Sequence, residues 1–186
     1  MKGKSYALLK RIFDFSLSLS ILILAIIPLL MVSIFIKLSS KGPILYWSDR
    51  IGLGEKVFKM PKFRTMYIGT PAVATHLLRD AKDSITPLGK VLRRFSIDEF
   101  PQLFSILRGQ MSFVGPRPAL FNQYDLIELR RESKIETLIP GLTGWAQING
   151  RDNISIQEKV KLDKEYYIKK SFRFDLKIIL LTILRI

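Results

Sequence analysis

Asp98 and Glu99 are adjacent carboxylates in the stretch Arg93-Arg94-Phe95-Ser96-Ile97-Asp98-Glu99-Phe100-Pro101-Gln102-Leu103. They lie in a chain of 186 residues that carries 30 Lys and Arg against 16 Asp and Glu. Two adjacent carboxylates inside an otherwise strongly basic protein are a candidate site for chemistry. Proline is tolerated in the first turn of a helix and disrupts its interior, so Pro101 places a helix start near Asp98. The free amides and positive dipole end of that helix, which runs on from Phe100 through Leu107, would face the carboxylates and favour their ionised form. A structural reading fits the same residues: Ser96 with Glu99 matches the S-x-x-E capping box. Pro101 counts against that register, because it would then sit deeper than the first turn. Capping and chemistry both remain open on spacing alone.

Cations suited to phosphate recur along the chain. Lys62 lies in Lys62-Phe63-Arg64-Thr65-Met66, where cations alternate with apolar residues, a pattern expected of a membrane-surface segment or of a solvated basic edge. Arg117 stands between Pro116 and Pro118, which restrict the backbone on both sides of it. A guanidinium held so rigidly loses little entropy on binding, and its planar fork matches phosphate. Arg151 ends the run Pro140-Gly141-Leu142-Thr143-Gly144-Trp145-Ala146-Gln147-Ile148-Asn149-Gly150-Arg151. Its glycines permit close backbone approach to a nucleotide, while Trp145 could stack on a base or simply pack. The run is neither a Walker A nor a Rossmann fingerprint.

The elements that must position these groups begin with an uncharged apolar stretch from Phe15 to Ile36. Its roughly 22 residues would span about 33 Å as a straight helix, enough to cross a bilayer. Basic residues crowd both flanks, Lys2, Lys4, Lys10 and Arg11 before it and Lys37, Lys41, Arg50 and Lys56 after it. Lys and Arg favour the cytoplasmic side, so both ends are drawn to the same side. Pro28 sits near the middle, with Ser16, Ser18, Ser20 and Ser33 available to satisfy backbone groups freed there. The reading is a re-entrant helix-break-helix over 12–38, turning at Pro28, although proline is also tolerated in a straight span.

Beyond Gly42-Pro43, Ile44–Trp47 and Val57–Met60 read as a short β-hairpin around Gly52–Glu55. Gly69–Pro87 reads as a mobile loop that includes the lone His76, and Leu88–Arg94 as a short helix. Leu120–Lys134 and Ser155–Lys170 read as surface helices, the second containing Asp163 and amphipathic. The segment 172–186 is apolar but too short to span a bilayer, and is expected to lie on the same membrane face. The fold class expected is therefore α+β and predominantly helical: a monotopic membrane protein forming one domain over 1–186, with 39–186 the cytoplasmic part.

Composition narrows the function. The net charge of +14 calls for anionic partners: nucleic acid, anionic lipid or phosphorylated substrates. The absence of cysteine excludes a disulfide framework, a thiolate nucleophile and a Cys-based metal site, and one histidine excludes a His-rich cluster.

Ser96–Leu103, Met111-Ser112-Phe113-Val114-Gly115-Pro116-Arg117-Pro118 and Pro140–Arg151 occur in this order, after Lys62–Met66 and the N-terminal apolar segment. Together they closely resemble the bacterial monotopic phosphoglycosyl transferases, from about Leu9 to the end, as a small member holding only the catalytic domain. The resemblance implies transfer of a sugar-1-phosphate from a UDP-sugar to polyprenyl (undecaprenyl) phosphate, the first membrane step of glycan assembly. It implies Mg2+ held by Asp98 and Glu99, a covalent phosphosugar on Asp98 and release of UMP. Lys62, Arg93, Arg117 and Arg151 would contact phosphate or nucleotide, and Asp163 matches a functional acidic position. The partners implied are the UDP-sugar, polyprenyl phosphate, the phospholipid membrane and downstream glycosyltransferases, with no nucleic acid. The location implied is the cytoplasmic face of the bacterial inner membrane.

Three features depart from the family pattern. Ile27 precedes the breaking proline where members often have Ser, Gln110 occupies a usually acidic place, and the loop from Tyr67 to Ser84 lacks the acidic character of relatives. The rival enzyme reading is a transferase using direct attack. The rival from another class is a non-enzymatic basic membrane adaptor or nucleic-acid binder, but no nucleic-acid reading element accompanies the charge.

Overall fold

A computed structural model describes residues 2–71, 83–150 and 154–184 of the chain. One long apolar helix, α1 (Lys2–Ser39), leans on a small α+β body. Its most apolar 18-residue window has a mean hydropathy of 3.0, and only 6% of it is buried. The helix runs without interruption through Pro28, so the expected division into two helices is not seen as two elements. A proline removes one amide donor and frees the carbonyl four residues back, here that of Leu24. Ser18 and Ser33 donate instead to the carbonyls of Asp14 and Leu29, at 2.6 and 2.7 Å. These serines saturate turns on either side of the proline rather than the group that it frees.

The flanks of α1 both dock on the body. Toward its start, Phe13, Leu17, Ile21 and Leu22 pack against the main core, built on Met60, Leu103, Ile106, Met111, Val114 and Ile178. Toward its end, Ile36 is buried with Phe63 and Leu92, joined by Leu29 and Val32. Between these contacts Ile23, Leu24, Ile26 and Ile27 are exposed, an apolar arrangement that water does not favour.

Polar contacts fasten the first part of α1. Arg11 donates to the carbonyls of Ile106 and Leu107, each at 2.6 Å, and Asp14 accepts the Phe113 amide at 3.1 Å. Asp175, almost fully buried, accepts from Tyr6, Lys10 and Tyr166 at 2.7–2.8 Å. Ionised groups are rarely buried without such partners, and the composition gave no sign of this one.

The hairpin is longer than its apolar runs suggest. β1 (Leu45–Ile51) pairs antiparallel with β2 (Val57–Phe63), with Tyr46 opposite Lys62 and Ile51 opposite Val57. Next come α2 (Pro87–Arg94) and α3 (Gln102–Leu107), then β3 (Ser112–Val114) and α4 (Tyr124–Glu132). β4 (Gly141–Thr143) pairs parallel with β3. The chain finishes with α5 (Trp145–Asn149), α6 (Ile156–Lys169) and α7 (Phe172–Leu184). Thr86 caps α2 by accepting the Gly89 amide, and Ser155 caps α6 by accepting that of Glu158. The helices that the periodicity predicts are present; the three-residue strands β3 and β4 were too short to read.

Candidate active site

The residues around Asp98 adopt a 3-10 turn over Ile97–Glu99, followed by Phe100 and then α3 with Pro101 at its N-cap position. The helix therefore starts slightly later than its sequence suggests. The capping box does not form. Ser96 adopts a left-handed conformation with φ of 54° and makes no side-chain cap hydrogen bond, leaving Glu99 available for other partners.

Those partners are cations from two other elements. Lys62, near the end of β2, donates to Glu99 Oε1 at 2.7 Å, and Arg117 Nη2 reaches the same oxygen at 3.4 Å. Lys62–Met66 is thus not a membrane-surface segment. Phe63, Arg64 and Thr65 are buried. Arg64 turns toward the end of α1, donating to the carbonyls of Lys41 and Ser40 and to Ser40 Oγ. It serves as a clamp on the exit from that helix, where unpaired carbonyls accumulate.

The electrostatics divide the dyad. Burial opposes charge on Glu99, but Lys62 and then Arg117 outweigh it and hold the carboxyl at about 2. Asp98 is also buried, and here burial dominates: with the charge of Glu99 beside it, the carboxyl lies above its ordinary value despite Lys62 and Arg93. This corrects the expectation that the helix end and its cations would favour ionised Asp98. The helix proper begins four residues later, and Lys62, the foremost cation acting on Asp98, is ion-paired with Glu99. Burial likewise pushes the Lys62 ammonium below its ordinary value, with Glu99 opposing that shift.

Arg93 arrives by a different route. The Thr86 amide donates to the Thr65 carbonyl at 3.0 Å, and a Cβ on Gly89 would run into that same carbonyl. The start of α2 therefore lies directly on the Thr65 backbone. Arg93 Nε then donates to Thr65 Oγ1 at 2.9 Å, which holds its charge close enough to act on Asp98.

Arg117 is held through its main chain. The Pro116 carbonyl accepts the Gly141 amide at 2.9 Å, and the Ala119 carbonyl accepts the Ile51 amide at 3.0 Å. The Pro118 carbonyl accepts from Arg50 Nη1 at 3.0 Å, and the Arg117 carbonyl from Arg130 Nη1 at 2.8 Å. Four consecutive carbonyls are thus occupied, in a stretch where two prolines supply no amide. The rigidity expected from the flanking prolines is completed by four donors from three separate parts of the chain. Sequence reasoning missed Arg130 and Arg50, which lie in segments of mixed charge with nothing to mark them.

Asp163 pairs with Arg130 rather than with the dyad or its cations. It is 1% exposed, and Arg130 donates to its Oδ2 through Nε at 3.1 Å and Nη2 at 2.6 Å. Trp145 packs against Phe174, with ring centroids 5.1 Å apart, and its indole N–H donates to Glu165 at 2.9 Å. Of its two readings the structure takes packing. Arg151, and His76 with most of the loop expected to be mobile, lie outside the described residues.

The site joins two carboxylates of opposed tendency, a lysine, and two arginines, one presented on an immobilised backbone. Such a cluster is suited to chemistry at phosphate. The chain belongs to the bacterial sugar transferase family, whose model matches residues 5–186. Among its curated relatives is an undecaprenyl-phosphate glucose phosphotransferase of Komagataeibacter xylinus, 42% identical over 95% of this chain and 35% of its own length. A UDP-glucose:undecaprenyl-phosphate glucose-1-phosphate transferase of Escherichia coli is 40% identical over 96% of this chain and 40% of its own length. An uncharacterized sugar transferase of Bacillus subtilis is 36% identical, with 96% of this chain and 87% of that protein covered. The chain thus spans well under half of the first two relatives and most of the third.

Proposed function

We propose that the protein transfers a sugar-1-phosphate from a UDP-sugar to undecaprenyl phosphate, by way of a covalent phosphosugar on Asp98. The observation that carries this reading is the division of labour in the dyad. Glu99 is tied to Lys62 and Arg117, whereas Asp98 stands outside those ion pairs among the described residues, within range of Lys62 and Arg93. A carboxylate fully engaged by a salt bridge is a poor nucleophile, so the attacking role falls to Asp98.

In the first half-reaction a carboxylate oxygen of Asp98 bonds to the phosphorus that bears the sugar. The bond from that phosphorus to the bridging oxygen breaks, and UMP leaves with the bridging oxygen and its electron pair. A phosphate oxygen of the polyprenyl acceptor then attacks the same phosphorus, expels the Asp98 carboxylate and yields the polyprenyl-diphosphate sugar. Arg117 and Arg93 neutralise the phosphate oxygens, with Arg151 proposed for the nucleotide.

Mg2+ fits this donor set. Asp98 and Glu99, the two carboxylates of the site, would be its protein ligands. One or two carboxylates, completed by substrate phosphates and water, is the usual Mg2+ arrangement. When bound, the ion supplies positive charge at the diphosphate and favours ionised Asp98 against its burial.

The attachment of both flanks of α1 to one body supports a re-entrant, monotopic arrangement at the cytoplasmic face of the inner membrane. Such an anchor brings the site to the interface, where a water-soluble donor and a lipid acceptor can meet. The test of the mechanism is to mix enzyme and UDP-sugar without acceptor. UMP should appear in stoichiometric amount, leaving the protein labelled by the phosphosugar. Full activity in Asp98→Asn, or no labelled adduct in the wild type, would overturn the covalent route.

A further inference from the structure

We infer that Asp163 and Arg130 form a positioning device that acts on the proposed transferase site through Arg117, and that Asp163 does not itself touch substrate. Asp163 Oδ2 accepts both Arg130 Nε and Nη2, which fixes the guanidinium plane from below. The remaining nitrogen, Nη1, donates at 2.8 Å to the main-chain carbonyl of Arg117. The Arg117 side chain then leaves this fixed backbone toward Glu99. Asp163 lies on α6 and Arg130 on α4, so the device ties the mutual packing of two helices to the placement of one side chain in the site.

Arginine is needed at the middle position for a geometric reason. Only a planar fork can bond one carboxylate through two nitrogens while turning the third toward a carbonyl on the other side. A lysine offers a point charge, which can neutralise Asp163 but cannot bridge the two partners. Asp163 is needed because Arg130 is buried as well, and a buried guanidinium without its carboxylate is strongly disfavoured. The interest of the arrangement is where the bridge lands. Arg117 lies between prolines and cannot be reoriented by adjusting neighbouring amides, so its own carbonyl sets the direction of the side chain. A buried acid far along the chain from the dyad thereby acquires a role in the reaction without reaching the reactants.

A double-mutant cycle tests the inference. Arg130→Lys and Asp163→Asn are each made in the wild-type chain and in an Arg117→Ala chain. The readouts are UMP release from a UDP-sugar in the presence of polyprenyl phosphate, and the affinity of the solubilised protein for UDP by calorimetry. In the wild-type background each variant should lose roughly tenfold in kcat/KM, the low end for a group that orients a functional side chain. The loss should fall on KM and on UDP affinity more than on kcat. In the Arg117→Ala background the same variants should lose less than about twofold, because the group they position is gone.

Equal losses in both backgrounds would show a merely structural pair and overturn the inference, as would no loss in the wild-type background. Should Arg130→Lys fail to fold, Asp163→Asn is read alone, since it keeps the shape and an acceptor for Arg130. Failure of both to fold assigns the pair to stability and also overturns it. The functional reading on which the inference rests has its own control. A wild-type chain that binds UDP but releases no UMP defeats that reading while leaving the affinity cycle to decide this one. A wild-type chain that does neither defeats both.

Discussion

Lys62 governs both members of the dyad at once, so it is the residue through which the site is most sensitive to pH. Its ammonium is the main charge favouring ionised Glu99, and the foremost charge opposing the effect of burial on Asp98. In Lys62→Met both carboxyls should take up protons more readily. For Glu99 the sign is fixed by a folded value of about 2 against an ordinary 4.5. A depressed value contributes stability that is complete above the ordinary range and is lost as pH falls through 4.5 toward 2. Removing Lys62 forfeits much of that contribution at neutral pH. The expected loss is on the order of 2 kcal/mol, below the full penalty for an orphaned buried charge because Arg117 remains. It is measured by urea denaturation at pH 7. For activity, protonated Asp98 cannot attack, so the acid limb of kcat/KM should move upward in the variant, where burial is opposed by fewer charges. An unmoved limb would place the essential ionisation elsewhere.

Among the elements, α2 shows how a helix with little core of its own can matter to the site. It is eight residues long, and its N-terminal turn lies on the Thr65 backbone with no space at Gly89. Its last turn delivers Arg93 to Thr65 Oγ1. In Gly89→Ala the added methyl would meet main-chain atoms, which cannot swing aside as a side chain does, so α2 must retreat. Ordinarily alanine favours a helix over glycine by about 1 kcal/mol; here overpacking should reverse the sign and cost roughly 1–3 kcal/mol. The melting temperature should fall, and UDP-sugar KM should rise as Arg93 is withdrawn. A raised melting temperature would show that the contact can relax. The helix itself was legible over Leu88–Arg94, one residue short of its observed start at Pro87, but its role was not, since nothing local reveals that Thr65 lies beneath Gly89. The same limit explains Lys62–Met66, where alternating cations suggested a lipid surface although Arg64 and Lys62 turn inward to partners distant in sequence. Ser96 left the capping reading open for a related reason. A capping box presumes helical continuity, whereas a left-handed Ser96 releases Glu99 to bind cations that only the tertiary fold supplies. Pro101, a purely local constraint, did signal a helix start, which falls at Gln102, four residues beyond Asp98.

At the scale of the molecule, the arrangement of α1 turns a hydropathy argument into a topological one. A helix of this length and mean hydropathy, taken alone, is compatible with a span that leaves the body on one side and the N-terminus on the other. Arg11 is bonded to the end of α3, Asp14 to β3 and Tyr6 and Lys10 to Asp175, while Ile36 is buried against Phe63 and Leu92. A span would have to give up one of these attachments and carry Lys10 and Arg11 across the hydrocarbon, which the preference of basic flanks for the cytoplasm opposes. The proposed topology keeps both ends with the body, and only the exposed middle of α1 around Pro28 enters the leaflet. With no cysteine in the chain, the test is direct. Single cysteines at Ser5, before the apolar segment, and at Lys90, on the exposed side of α2, are treated with a membrane-impermeant maleimide. In intact spheroplasts neither should react, and after permeabilisation both should. Labelling of Ser5→Cys alone from outside would establish a straight span, and the contacts that now fasten Tyr6, Lys10 and Arg11 to the body would then have to be absent in the membrane.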